Sequence, residues 1–145
     1  MNVLLSIKPR FAEKILSGEK QYEFRKTRFK QANTGDQVFL YATSPVQRIV
    51  GKFKIGNISH SSPTKLWQKY GDKSGIDDQG SFFEYYEDHD EGYAIEVTHP
   101  QRYQSKVNPH LCFDDFTPPM SFQYVDNRHS AAIQQNAQGP NLASD

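Results

Sequence analysis

The chain has 145 residues, a formal net charge of zero, 36% hydrophobic and 13% aromatic residues, and one cysteine. That size suits one compact domain around a single core, and the lone Cys112 leaves no disulfide framework within the chain, which fits a reducing cytoplasm. No apolar run approaches the ~20 residues of a helical membrane span, and the opening MNVLLSIKPRF lacks the long apolar centre of a secretory signal, so a cytoplasmic protein without a membrane partner is expected.

The neutral average hides a split. Residues 1–55 hold 11 Lys/Arg against 4 Asp/Glu, a net +7, and residues 56–145 hold 6 against 13, a net −7. If the halves are separate in space, one face is basic and attracts phosphates, and the other is acidic.

Asn2–Lys8 is short, apolar and β-leaning, and reads as a strand. Pro9 suits the first position of a helix. Phe11, Ala12, Ile15 and Leu16 then recur at helical spacing, and Gly18 supplies the stop. Lys20–Lys26 alternates and returns as a strand. Thr34-Gly35-Asp36 is a turn, followed by an apolar strand over Gln37–Thr43. Ser44-Pro45 turns the chain into a long strand over Arg48–Ile58, where Gly51 marks a bulge or bend. Ser62-Pro63 opens a helix through Leu66, Trp67 and Tyr70, ended by Gly71. A second helix is expected over Ile76–Asp88. Gly92–Val97 and Arg102–Val107 read as strands, and Ser121–Val125 as a short last one. From Asp126 onward the chain carries no aromatic residue, and residues 126–145 read as a disordered tail. The expected architecture is α+β: a small barrel of about five or six mostly antiparallel strands with peripheral helices, in one domain over residues 1–125.

The segment GEKQYEFRK, residues 18–26, carries the chemistry. Side chains alternate across a strand, so Tyr22 and Phe24 share a core face while Gln21, Glu23 and Arg25 share the other. Lys20 joins Glu23 and Arg25 only if regular alternation begins after residue 20, which Gly18 permits. Arg offers a rigid fork of donors, Glu accepts from the exocyclic amine of a base, and Lys near other cations can act as a base. Either these charges form a solvated ion pair on an edge strand, or they line a pocket for a polar ligand. The five histidines are scattered, and His110 and Cys112 lack a second pair to complete a metal site, so no metal is expected. No phosphate-loop, dinucleotide or nucleophile-elbow pattern occurs, and no cofactor is expected. The aromatic and acidic run FFEYYEDHDEGY could stack bases, line the core, or contact a protein partner.

LLSIKPRFAEKILSGEKQYEFRK, VFLYATSPVQRIVGKFKIGNI, FFEYYE, GYAIEV and PPMSFQYV together resemble the ASCH domain family of the PUA-like superfamily, over about residues 2–125. The resemblance implies a β-barrel with a cleft beside the first helix, and RNA or modified nucleosides as ligands. It places Lys20, Glu23 and Arg25 in that cleft and adds Lys8, Tyr41 and Ser44 as ligand-binding residues. Some small relatives hydrolyse N4-acetylcytidine with a lysine, a threonine three residues later and a distant carboxylate. Lys20 matches the lysine, but Glu23 stands at the threonine position. Asp72, Asp77 and Asp78 are the choices for the distant carboxylate. The implied function is thus RNA or nucleoside binding, with Lys20 and Glu23 as the catalytic pair if the domain is an amidohydrolase or a ribonuclease-like enzyme.

Overall fold

The computed structural model describes residues 1–139. Six strands, β1 (Asn2–Ile7), β2 (Tyr22–Arg25), β3 (Gln37–Ala42), β4 (Arg48–Ser61), β5 (Gly92–Val107) and β6 (Phe122–Val125), form one sheet in the order β2-β5-β4-β3-β1-β6. Only β1 and β3 run parallel; the other neighbours are antiparallel. The sheet curls into a half-barrel, surrounded by helices α1 (Pro9–Leu16), α2 (Pro63–Tyr70), α3 (Gln79–Tyr85) and α4 (Asn127–Ala137). The expected α+β architecture is therefore what the chain adopts.

Strand alternation divides the interior into two faces. Val3, Leu5 and Ile7 of β1 and Val38, Leu40 and Ala42 of β3 point inward, where Ala12 and Ile15 of α1 meet them with Phe53, Ile55 and Ile95. Leu4 of β1 and Phe39 and Tyr41 of β3 point the other way, into a second cluster with Ile49, Tyr103, Phe116 and Ile133. A third cluster joins Phe24 of β2 to Leu66, Tyr70, Phe82 and Tyr86 of the α2–α3 insertion.

Two features shape the curl. The β3–β4 and β4–β5 registers both shift beside Gly51. A side chain at Gly51 would meet the Gln101 carbonyl oxygen at 2.5 Å and Leu16 Cδ2 at 2.6 Å, so glycine is what lets α1 and β5 close over the bend. The two strands expected at 92–97 and 102–107 are one long strand, which continues through His99, a residue with φ of 49°.

Residues 126–139 correct the expectation of a disordered tail. The Asp126 carboxylate accepts from the His129 backbone N–H and caps α4. Ser130, Ile133 and Ala137 are buried at helical spacing against β5. Residues 140–145 of that expected tail lie outside the described residues. The second expected helix is also shorter than read: Asp78 caps α3, which begins only at Gln79.

Candidate functional site

A cleft of about 790 Å³ opens between the first helix and the α3 side of the sheet. The β1–α1 junction contributes Ser6, Ile7, Lys8, Arg10 and Phe11. Lys20, Glu23 and Phe24 line it from the segment around β2, Thr43 from the end of β3, and Ile76 from the loop before α3. Helix α3 adds Ser81, Phe82, Glu84 and Tyr85, and Met120 stands at the mouth, fully exposed.

Lys20 lies in the floor of this cleft with only 2% of its surface exposed. Its ammonium donates to the Ser74 carbonyl at 2.6 Å and sits 3.8 Å from Glu23 Oε2. The chain between α1 and β2 makes this possible. Gly18, with φ of 88°, turns the helix end, and the Lys20 and Gln21 backbone N–H groups bond to the Lys14 and Lys73 carbonyls. Regular alternation starts only at Tyr22, so Lys20 escapes the parity of the strand and comes round to Glu23. Lys14 reinforces the same loop by donating to the Gly75 carbonyl at 2.8 Å. Two ammonium groups thus grip consecutive carbonyls, Ser74 and Gly75. Burial pushes the Lys20 pKa down from the usual lysine value; Glu23 pulls it up and Lys14 pushes it further down.

Glu23 Oε2 is buried and has no hydrogen-bond partner among the described residues. A buried carboxylate oxygen is costly to leave unbonded. The cleft around it has aromatic walls: Phe11 on α1, Phe24 and Phe82 edge to face at 4.8 Å, and Tyr85 on α3. Such walls and an acceptor in the floor are complementary to a flat, partly apolar group with a proton-donating edge.

Arg25 has a different task. It is 8% exposed and does not line the cleft. Its guanidinium lies 4.5 Å over the Phe29 ring and 4.9 Å over the Phe122 ring. It donates to Ser121 Oγ at 3.1 Å and to the Thr27 carbonyl at 3.3 Å, while its own carbonyl accepts from the Tyr86 hydroxyl. Since β2 and β6 are the two edges of the sheet, Arg25 clasps one edge to the other across the half-barrel.

Of the residues expected to bind or react, Lys8, Lys20 and Glu23 share the cleft and Arg25 stands behind it. Tyr41 is buried on the opposite face, 5.5 Å from the Phe116 ring, and Ser44 is exposed beyond the end of β3. Neither lines the cleft; Thr43 does. Asp72 is exposed, Asp77 pairs with Lys14 at 3.4 Å, and Asp78 caps α3. None of the three reaches the cleft; the second carboxylate there is Glu84. Sequence reasoning missed Arg10, Thr43, Glu84 and Met120, whose positions depend on which ends of distant elements meet. Among the described residues no cluster of three or more His, Cys, Asp or Glu could hold a metal ion. No helix of the described residues is long and apolar enough to cross a membrane.

The family model of the ASCH domain matches residues 5–113. The chain belongs to the ASCH domain family. The ASCH domain-containing ribonuclease of Zymomonas mobilis is 31% identical over 84 residues, 58% of this chain and 55% of that protein. The ATP synthase subunit alpha of Ureaplasma parvum is 29% identical over 123 residues, 85% of this chain but 15% of that protein. The chain therefore spans only part of the length of these curated relatives. The crystal structure of ASCH from Zymomonas mobilis matches this ASCH fold with a TM-score of 0.86 at 23% identity, over 93% of this chain and 94% of that one. The N-terminal domain of Staphylothermus marinus McrB matches at a TM-score of 0.60 and 10% identity, over 93% of each chain.

Proposed function

We propose that this ASCH domain binds RNA or a modified nucleoside, with one nucleobase in the cleft above Lys20 and Glu23. One observation carries the reading: an unpartnered Glu23 oxygen inside an aromatic-walled pocket, 3.8 Å from a buried ammonium. Glu23 only accepts, so it suits the amine or ring N–H of a base. Lys20 holds hydrogens beyond the one given to Ser74 and can donate to a neighbouring base oxygen or nitrogen. The aromatic side chains supply faces for the ring itself. The ASCH domain-containing ribonuclease among the relatives supports RNA as the ligand class.

Fluorescence anisotropy with a labelled single-stranded RNA tests this. Binding weakens as salt rises, because phosphate contacts release counterions. Glu23→Ala costs about 1–3 kcal/mol, the worth of a good base contact. No binding at low salt, or equal binding by the variant, contradicts the proposal.

A second reading, hydrolysis in the same cleft, is favoured by the Lys20 ammonium and the Glu23 carboxylate standing 3.8 Å apart in its floor. Glu23 then serves as base toward a water molecule and Lys20 stabilises the developing oxyanion. For the deacylation of N4-acetylcytidine, Glu23 stands where such relatives have threonine, and the cleft hydroxyls are Ser6, Thr43 and Ser81. Incubation with RNA and with N4-acetylcytidine, beside a Lys20→Ala control, separates the two chemistries. Equal turnover by wild type and control removes this reading.

A further inference from the structure

Resting on the nucleobase reading of this cleft, we infer that the site takes a nucleoside phosphate in one fixed orientation. The base lies inward at Glu23, and the phosphate lies outward on Lys8 and Arg10.

The floor excludes the reverse pose. Glu23 Oε2 already lacks a proton donor, and a phosphate beside it would place like charges together where water is scarce. The charge of the Lys20 ammonium is already offset by the Glu23 carboxylate 3.8 Å away, so Lys20 can donate a hydrogen to a base but is not a free counter-ion for a phosphate. Phe11, Phe24 and Phe82 give such an anion no hydrogen bonds, whereas they fit a ring.

The rim is built the other way. Lys8 and Arg10 flank Pro9 at the start of α1, both are exposed, and both line this cleft. Neither has a carboxylate within ion-pair distance among the described residues. The neighbouring cations differ: Lys14 pairs with Asp77 at 3.4 Å, and Arg102 meets Glu13 at 2.6 Å. The Arg10 guanidinium lies 4.8 Å over the Phe11 ring, which holds its donor fork at the cleft mouth. Among the described residues the carboxylate lining the cleft besides Glu23 is Glu84, on α3. An arginine fork and an ammonium, two residues apart and unneutralised, are the groups that take a phosphate.

Isothermal titration calorimetry tests this with the four ribonucleosides, their 5′- and 3′-monophosphates, inorganic phosphate and a short oligoribonucleotide. For the base that binds, a monophosphate binds about tenfold more tightly than its nucleoside, an advantage that shrinks with salt. In the Lys8→Ala/Arg10→Ala variant that ratio falls to near one, and the salt slope flattens by about one to two. Both residues are exposed, and an unchanged thermal melt verifies that the variant is folded. An oligoribonucleotide tighter than the monophosphate assigns the phosphate to an RNA chain, and equal affinity assigns it to a free nucleotide; both outcomes support the inference. Equal binding of nucleoside and monophosphate by wild type overturns the phosphate site and leaves the base site standing, as does a phosphate preference that survives in the variant. If no nucleoside, nucleotide or oligoribonucleotide binds, both readings fall.

Discussion

Lys20 and Glu23 face each other across 3.8 Å in the floor of the cleft, and among the described residues Lys20 has a second partner, the Ser74 carbonyl, while Glu23 Oε2 has no hydrogen bond. This asymmetry leaves one carboxylate oxygen unbonded in the cleft. It also makes Lys20 part of the fold. Lys20→Met keeps the length of the side chain and removes the donor, so the Ser74 carbonyl loses its partner. The expected cost is about 1–3 kcal/mol, read as a lower urea midpoint at neutral pH. An unchanged midpoint means that water replaces the ammonium without penalty.

The same burial sets a pH dependence. The folded-state pKa of Lys20 is depressed below its usual 10.5 by burial. As pH climbs from that depressed value towards 10.5, the unfolded chain holds more protons than the folded one, so this group makes stability rise with pH. Lys52, also lowered by burial, acts in the same direction. Tyr22, Tyr85, Tyr86 and Tyr103 are raised above 10.0, chiefly by burial, and oppose it at higher pH. The difference between wild type and Lys20→Met in urea unfolding across that window isolates Lys20. It is expected to grow with pH; parallel curves contradict the burial of a charged amine.

Gly75 tests the loop that both lysines grip. Its φ is +70°, and an added Cβ would stand 3.1 Å from Lys20 Cβ and 3.2 Å from Lys14 Cδ. Gly75→Ala is expected to cost about 1–2 kcal/mol for the left-handed backbone alone, and to lower ligand affinity by displacing Lys20. A thermal melt and a binding titration on one sample check both effects. Loss of stability with affinity intact separates the loop from the site.

Arg25 closes the half-barrel. Arg25→Lys keeps the charge but loses the guanidinium that lies against both the Phe29 and Phe122 rings and the geometry of the bond to Ser121. A desolvated cation–π contact contributes about 2 kcal/mol, so the variant is expected to unfold at lower urea by about that amount. Hydrogen exchange should quicken in β6 as well as in β2 if the two edges are joined there.

Much of this was legible in the chain, for identifiable reasons. Strands β1, β3 and β4 and helix α1 carry strong periodicity and their own stop signals at Pro9, Gly18 and Ser44-Pro45, and they begin and end near where those signals fall. The pairing of Lys20 with Glu23 was foreseeable only as a condition on where alternation begins. Arg25 shows the limit of parity: it places a side chain on a face, yet says nothing of whether that stretch of face borders a cleft or a closed seam. Tyr41 shows the same limit, since its strand is buried on both sides. Helix α4 was missed because its buried stripe is Ser130, Ile133 and Ala137, too small and polar to signal a core helix, although Asp126 and His129 form a legible cap.

Backbone amide NMR during titration with a short single-stranded RNA locates the ligand in the cleft or away from it. Shifts are expected to concentrate at Lys8, Lys20, Glu23, Thr43 and Tyr85, and to diminish in Glu23→Ala. Shifts gathered instead around Tyr41 and Ile133 on the α4 face, with the cleft silent, would contradict the cleft as the binding site.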